Sequence, residues 1–117
     1  MKLDITPVPK PRQTRSDKWK KRPSVLRYRA FADELRLRIG SLDLNGCTVT
    51  FGLPMPKSWS KKKKNEMDGQ PHTQTPDLDN LLKALGDALY SDDSGIHTLN
   101  GLKKVWSRDG YLLIKEN

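Results

Sequence analysis

A chain of 117 residues has the length of one ordinary domain, which excludes two independent hydrophobic cores. Hydrophobic residues make up 34% and charged residues 31%, polar for a globular protein, yet three Trp, three Tyr and many Leu exclude a wholly disordered chain. The formal charge of +8 lies in residues 1–30, where ten Lys or Arg face only Asp4 and Asp17; the other residues balance twelve bases against twelve acids.

From the N-terminus, residues 2–8 alternate as a short strand does, and Pro7, Pro9 and Pro11 then forbid regular ladder pairing. A basic loop runs on to about Arg22. Between Ser24 and Ile39, Tyr28, Phe31, Ala32, Leu35 and Ile39 recur at three and four residues, which predicts an amphipathic helix stopped by Gly40. Residues 46–53 are β-branched and aromatic and alternate from Cys47, so a strand is expected there, ended by Pro54 and Pro56. From Lys57 to Thr75 nothing is periodic, and a long loop is expected. Pro76 precedes a second helix with the apolar stripe Leu78, Leu81, Leu82, Leu85, Ala88 and Leu89, while Asp79, Lys83 and Asp87 fall on its other side. Gly86 is a weak position within it. After a turn at Ser91 to Gly95, residues 96–106 and 111–115 read as two strands of a hairpin about Asp109-Gly110.

Cys47 is the only cysteine, so no intrachain disulfide is possible and a reducing compartment is expected. The segment Met1 to Pro7 has no apolar run resembling a signal peptide, and no later stretch approaches membrane-spanning length. A cytoplasmic protein without membrane contact is the expectation.

The charge distribution points to a partner. Basic residues gather before Ala30 and at Lys57 and Lys61 to Lys64, while residues 77–93 hold five Asp and one Lys. Basic arms around an acidic centre suit a polyphosphate backbone, where each contact releases counterions. Trp59 beside Lys61, Lys62, Lys63 and Lys64 adds an aromatic able to stack on or wedge between bases, so nucleic-acid contact is favoured there over a merely solvated lysine run.

Asp77 and Asp79 flank Leu78 where loop becomes helix. In extended backbone, positions two apart point the same way, so both carboxylates could face one divalent cation while Leu78 turns inward. Mg²⁺ takes oxygen ligands at about 2.1 Å and keeps several waters, so two or three carboxylates suffice, and Asp92 or Asp93 could supply the third. The competing reading is a capped helix followed by an ordinary turn, and spacing alone favours it. Lys83 stands four residues from both Asp79 and Asp87; a salt-bridged helix face and a cation on a scissile phosphate explain it equally well. His72 and His97 lack zinc-ligand spacing and read as structural or surface residues.

The run Pro76-Asp77-Leu78-Asp79-Asn80-Leu81-Leu82-Lys83-Ala84-Leu85, followed by Asp87-Ala88-Leu89 and Asp92-Asp93-Ser94, resembles the RusA family of Holliday-junction resolvases. Pro7-Val8-Pro9-Lys10-Pro11-Arg12, Met55-Pro56-Lys57-Ser58-Trp59-Ser60 and Lys104-Val105-Trp106 are similar to further family features, so the resemblance spans most of the chain. These are homodimeric Mg²⁺-dependent endonucleases, often encoded by prophages. Residue by residue, the resemblance implies that Asp77, Asp79 and Asp93, with Asp92 as the alternative third ligand, bind the metal, and that Lys83 is the catalytic lysine.

The resulting expectation is a single α/β domain over residues 1–117, with a small mixed sheet and two principal helices, assembled as a homodimer. It would cut four-way DNA junctions in recombination and repair with Mg²⁺, or Mn²⁺ in its place, and no small-molecule cofactor. Asp77, Asp79, Asp93 and Lys83 would be catalytic, while Lys10, Arg12, Arg15, Trp59 and Lys61 to Lys64 would grip DNA. Two rivals stand beside it: a non-catalytic DNA-binding module, and a metal-dependent nuclease of flaps, forks or RNA.

Overall fold

A computed structural model describes residues 1–11, 22–40, 42–90 and 95–116. Helix α1 spans Pro23–Ile39. Pro23 occupies its first turn, where an N–H would lack a partner anyway. Tyr28, Phe31, Ala32 and Leu35 of the stripe the sequence predicts are buried, Ile39 is half-buried, and Val25, outside that stripe, is buried as well. The helix ends at Gly40, whose N–H donates to the Arg36 carbonyl at 3.0 Å and whose φ of 69° then turns the chain out of the helix.

Four strands form one mixed sheet in the order β1-β4-β2-β3: β1 Lys2–Leu3, β2 Thr48–Pro54, β3 Gly101–Ser107 and β4 Tyr111–Lys115. β2 runs parallel to β3 and antiparallel to β4, and β1 is antiparallel to β4. The expected β3–β4 hairpin is therefore wrong. Residues 108–110 do connect the two strands, but they step over the end of β2, where the Met55 N–H donates to the Ser107 carbonyl at 2.9 Å. The reason is burial: Val49, Thr50, Phe51, Gly52 and Leu53 are all buried, so β2 needs a partner on each side. Gly52 admits the approach of β4, because a Cβ there would lie 2.1 Å from Tyr111 Cδ1.

Two other expectations shorten. The strand over 2–8 reduces to Lys2–Leu3, beyond which Ile5 and Val8 pack on the core without ladder partners. Residues 96–100 precede β3 rather than belong to it, held by Asn45: its Oδ1 accepts from the His97 N–H at 2.7 Å and the Thr98 N–H at 3.1 Å.

Helix α2, Lys61–Met67, lies where a loop was expected. It buries no residue, so there was no apolar period to find. Its signal was a cap instead, since Ser60 Oγ accepts from the Lys63 N–H at 3.2 Å and the following residues are good helix formers. Among the described residues there are thus three helices, two of them long.

Helix α3, Leu78–Leu89, packs beside α1 against one face of the sheet. Leu35, Leu81, Leu85 and Leu112 are fully buried together with Phe51 and Ile114. Each such side chain stabilises the fold by about 1.5–3 kcal/mol, enough to fix the rotation of α3 about its axis. Gly86 is buried in this contact and α3 continues through it. Arg36 Nε donates to the Ala88 carbonyl at 2.7 Å, satisfying an end group of α3 from α1. With Leu81 and Leu85 inward, Asp79 and Lys83 face outward. Among the described residues no helix is long and apolar enough to cross a membrane.

Candidate functional site

The start of α3 is built from the edge of the sheet. The Gly69 and His72 N–H groups donate to the Trp106 and Lys104 carbonyls at 2.8 and 3.1 Å, and the Trp106 N–H donates to the Gln70 carbonyl at 2.9 Å. This ladder covers the outer edge of β3 and leads the chain toward Asp77. Lys104 Nζ then donates to the Gln74 carbonyl and, at 2.7 Å, to the Pro76 carbonyl. His72 is buried with its ring 4.1 Å from that of Trp106. Burial first and the Lys104 charge second hold its pKa below the usual histidine value.

Asp77 sits at the N-cap of α3 with extended backbone, φ −70° and ψ 147°. Its carboxylate makes no capping hydrogen bond, although the position offers orphan N–H groups. Its carbonyl accepts from the Leu81 N–H at 3.1 Å. Asp79 lies in the first turn, exposed, with Oδ1 accepting the Asn80 N–H at 2.9 Å. Two exposed carboxylates thus stand one residue apart on either side of Leu78, and the cap reading that spacing favoured does not describe the Asp77 side chain. Hard oxygen donors of this kind suit Mg²⁺ or Mn²⁺.

Asp92 and Asp93, the expected sources of a third carboxylate, lie outside the described residues. Among the described residues no group of three or more His, Cys, Asp or Glu gathers in metal-binding geometry. Lys83 is exposed one turn beyond Asp79. Asp87 takes its charge partner from another element: Lys10 Nζ is 3.3 Å from its Oδ2 and also lies 4.2 Å from the Tyr28 ring centroid.

Lys10 is therefore half-buried against α3 and α1 rather than held out in solvent. Its backbone is fixed as well, because Asn80 Nδ2 donates to the Lys10 carbonyl at 3.2 Å and the Lys10 N–H donates to the Asn80 carbonyl at 3.4 Å. Sequence reading missed this strap; the trace it left is Asn80, a poor helix former in an otherwise strong helical run. Arg12 and Arg15 lie outside the described residues.

Lys61, Lys62, Lys63 and Lys64 stand on α2, the first three exposed. Trp59 is half-buried, with its ring 4.7 Å from Trp106 and the Lys63 ammonium 4.3 Å from its centroid. Lys63, Trp59, Trp106 and His72 thus form a stack that seats α2 on the β3 edge, the same edge that leads to Asp77. From the end of α2 the chain runs along this edge through Gly69, Gln70 and His72 before it reaches Asp77.

The family model described as Endodeoxyribonuclease RusA matches residues 4–115. No curated protein and no solved structure matches the chain.

Proposed function

From the premise that this chain belongs to the RusA endodeoxyribonuclease family, we propose that it resolves four-way DNA junctions with a divalent metal bound at the start of α3. The observation that carries this reading is Asp77: an aspartate at a helix N-cap whose carboxylate accepts from none of the helix N–H groups and stands exposed beside Asp79. An ordinary cap would spend that side chain on the backbone.

Asp77, Asp79 and Asp93, or Asp92 in its place, hold Mg²⁺ or Mn²⁺ in this reading. When bound, such a cation supplies charge against the phosphodiester and acidifies a water. Lys83, one turn along α3, sets its ammonium against the scissile phosphate and steadies the negative charge that grows there. Asp79 keeps one oxygen on the Asn80 N–H, which orients the other. Lys61 to Lys64 grip the backbone of a DNA arm together with Arg12 and Arg15, and Lys10 ties the basic N-terminal segment to α3 through Asp87.

A four-way junction has two-fold symmetry and needs a nick in each of two opposed strands, so a homodimer with two equivalent sites fits the task. The test is incubation of the protein with labelled four-way junction, fork, duplex and single strand, in Mg²⁺ or EDTA. Paired nicks in the junction, dependent on Mg²⁺, are expected. Equal cutting of forks or single strands makes it a nuclease of other specificity, and no cutting of any substrate reduces it to a binding module.

A further inference from the structure

Lys104 has no part in the reading above, yet its side chain is spent entirely on the approach to Asp77. It projects from β3 on the helix-covered face, level with Phe51 of β2, and is half-buried. A lysine there gives up hydration, which is offset by two carbonyl acceptors, those of Gln74 and Pro76. Pro76 immediately precedes Asp77, so the ammonium grips the peptide that leads into the N-cap. The segment before it is already tied to β3 by the backbone bonds of Gly69, Gln70 and His72 and by the packing of the His72 ring on Trp106. Among the described residues, 74–76 make no backbone hydrogen bond to β3, and Lys104 supplies the tie instead.

We infer that Lys104 is a positioning residue: by clamping the Gln74 and Pro76 carbonyls it sets the direction of the Asp77 carboxylate and so the affinity of the site for its divalent cation. The inference rests on the metal-nuclease reading. A lysine placed only to stabilise the loop would influence melting and leave metal affinity alone. The clamp is a donor property, so an arginine able to reach the same carbonyls retains the function and a methionine of similar length loses it.

The experiment compares wild type, Lys104→Arg and Lys104→Met. Mn²⁺ binding to the DNA-free protein is followed by electron paramagnetic resonance, alongside the Mg²⁺ concentration for half-maximal junction cleavage, junction affinity in EDTA and metal-free melting. The expected result is a tenfold or greater loss of Mn²⁺ affinity in K104M, a parallel rise in the Mg²⁺ requirement, unchanged junction affinity, and recovery to within threefold in K104R. Should K104M fail to melt cooperatively, K104L, which also lacks a donor, takes its place with the same thresholds. Mn²⁺ affinity unchanged in the donor-deleted variant, or lost equally in K104R, overturns the inference. A wild type that neither binds Mn²⁺ nor cuts junctions overturns instead the reading on which it rests.

Discussion

Replacing Asp77 with Ala separates the two roles that this position can hold. A working N-cap is worth about 1 kcal/mol, which for a domain of this size corresponds to roughly 4 °C in Tm. Asp77 makes no capping bond from its side chain, so that contribution is absent. What remains is attraction to the α3 macrodipole, about 0.3–1 kcal/mol at low ionic strength and screened further by salt. Loss of the Asp77 charge also removes its repulsion of Asp79, which acts in the opposite direction. The net expectation in metal-free buffer at about 0.2 M salt is a Tm within roughly 2 °C of wild type. Junction cleavage in Mg²⁺ should nevertheless fall by more than about a hundredfold, the upper range for losing even an outer-shell support of a metal. Thermal unfolding and single-turnover cleavage on the same preparation decide the matter. A Tm lowered by 4 °C or more with cleavage retained would refute the reasoning, for Asp77 would then be a cap and nothing else.

Two further expectations concern the metal and the lysine array. Because carboxylates gathered at the start of α3 repel without a cation, Mg²⁺ or Mn²⁺ at a hundred times its Kd should stabilise the fold by about 2.7 kcal/mol, read as a rise in Tm; an unchanged Tm at millimolar metal counts against a site formed in the free protein. Replacing Lys61, Lys62 and Lys64 together with Gln removes three cations from a helix that buries no residue, so Tm should hardly change. Junction affinity should then lose up to about 2.7 from the slope of log K against log salt, at about 0.9 per phosphate contact; an unchanged slope would place α2 away from the DNA.

Much of the fold was legible because its signals were periodic. The buried stripe of α1 and the Leu81–Leu85 face of α3 follow from spacing, and Gly40 stops α1 with the positive φ that a glycine allows. Helix α2 escaped because it has no buried face, and a pattern that depends on burial cannot register a helix without any. The hairpin error has a different origin. Asp109-Gly110 is a genuine turn, but turn chemistry is local, whereas the insertion of β2 between β3 and β4 follows from five consecutive buried residues that no local rule links to a strand far along the chain. At the site, spacing placed Asp77 and Asp79 together yet could not say whether their oxygens served the helix. That choice depended on side-chain direction at the N-cap. Lys104, Asn80 and the Lys10–Asp87 pair stayed hidden because each acts across long sequence separation on backbone carbonyls or on a partner from another element.

The central claim is that the α3 carboxylates do the cutting rather than the folding or the binding, and Asp79→Asn tests it most directly. The substitution keeps the shape of the side chain and an oxygen for the Asn80 N–H while removing one negative charge from the site. With a labelled four-way junction in Mg²⁺, the variant is predicted to bind as tightly as wild type or tighter and to produce no nicks. Full cleavage by Asp79→Asn at wild-type rate would contradict the account.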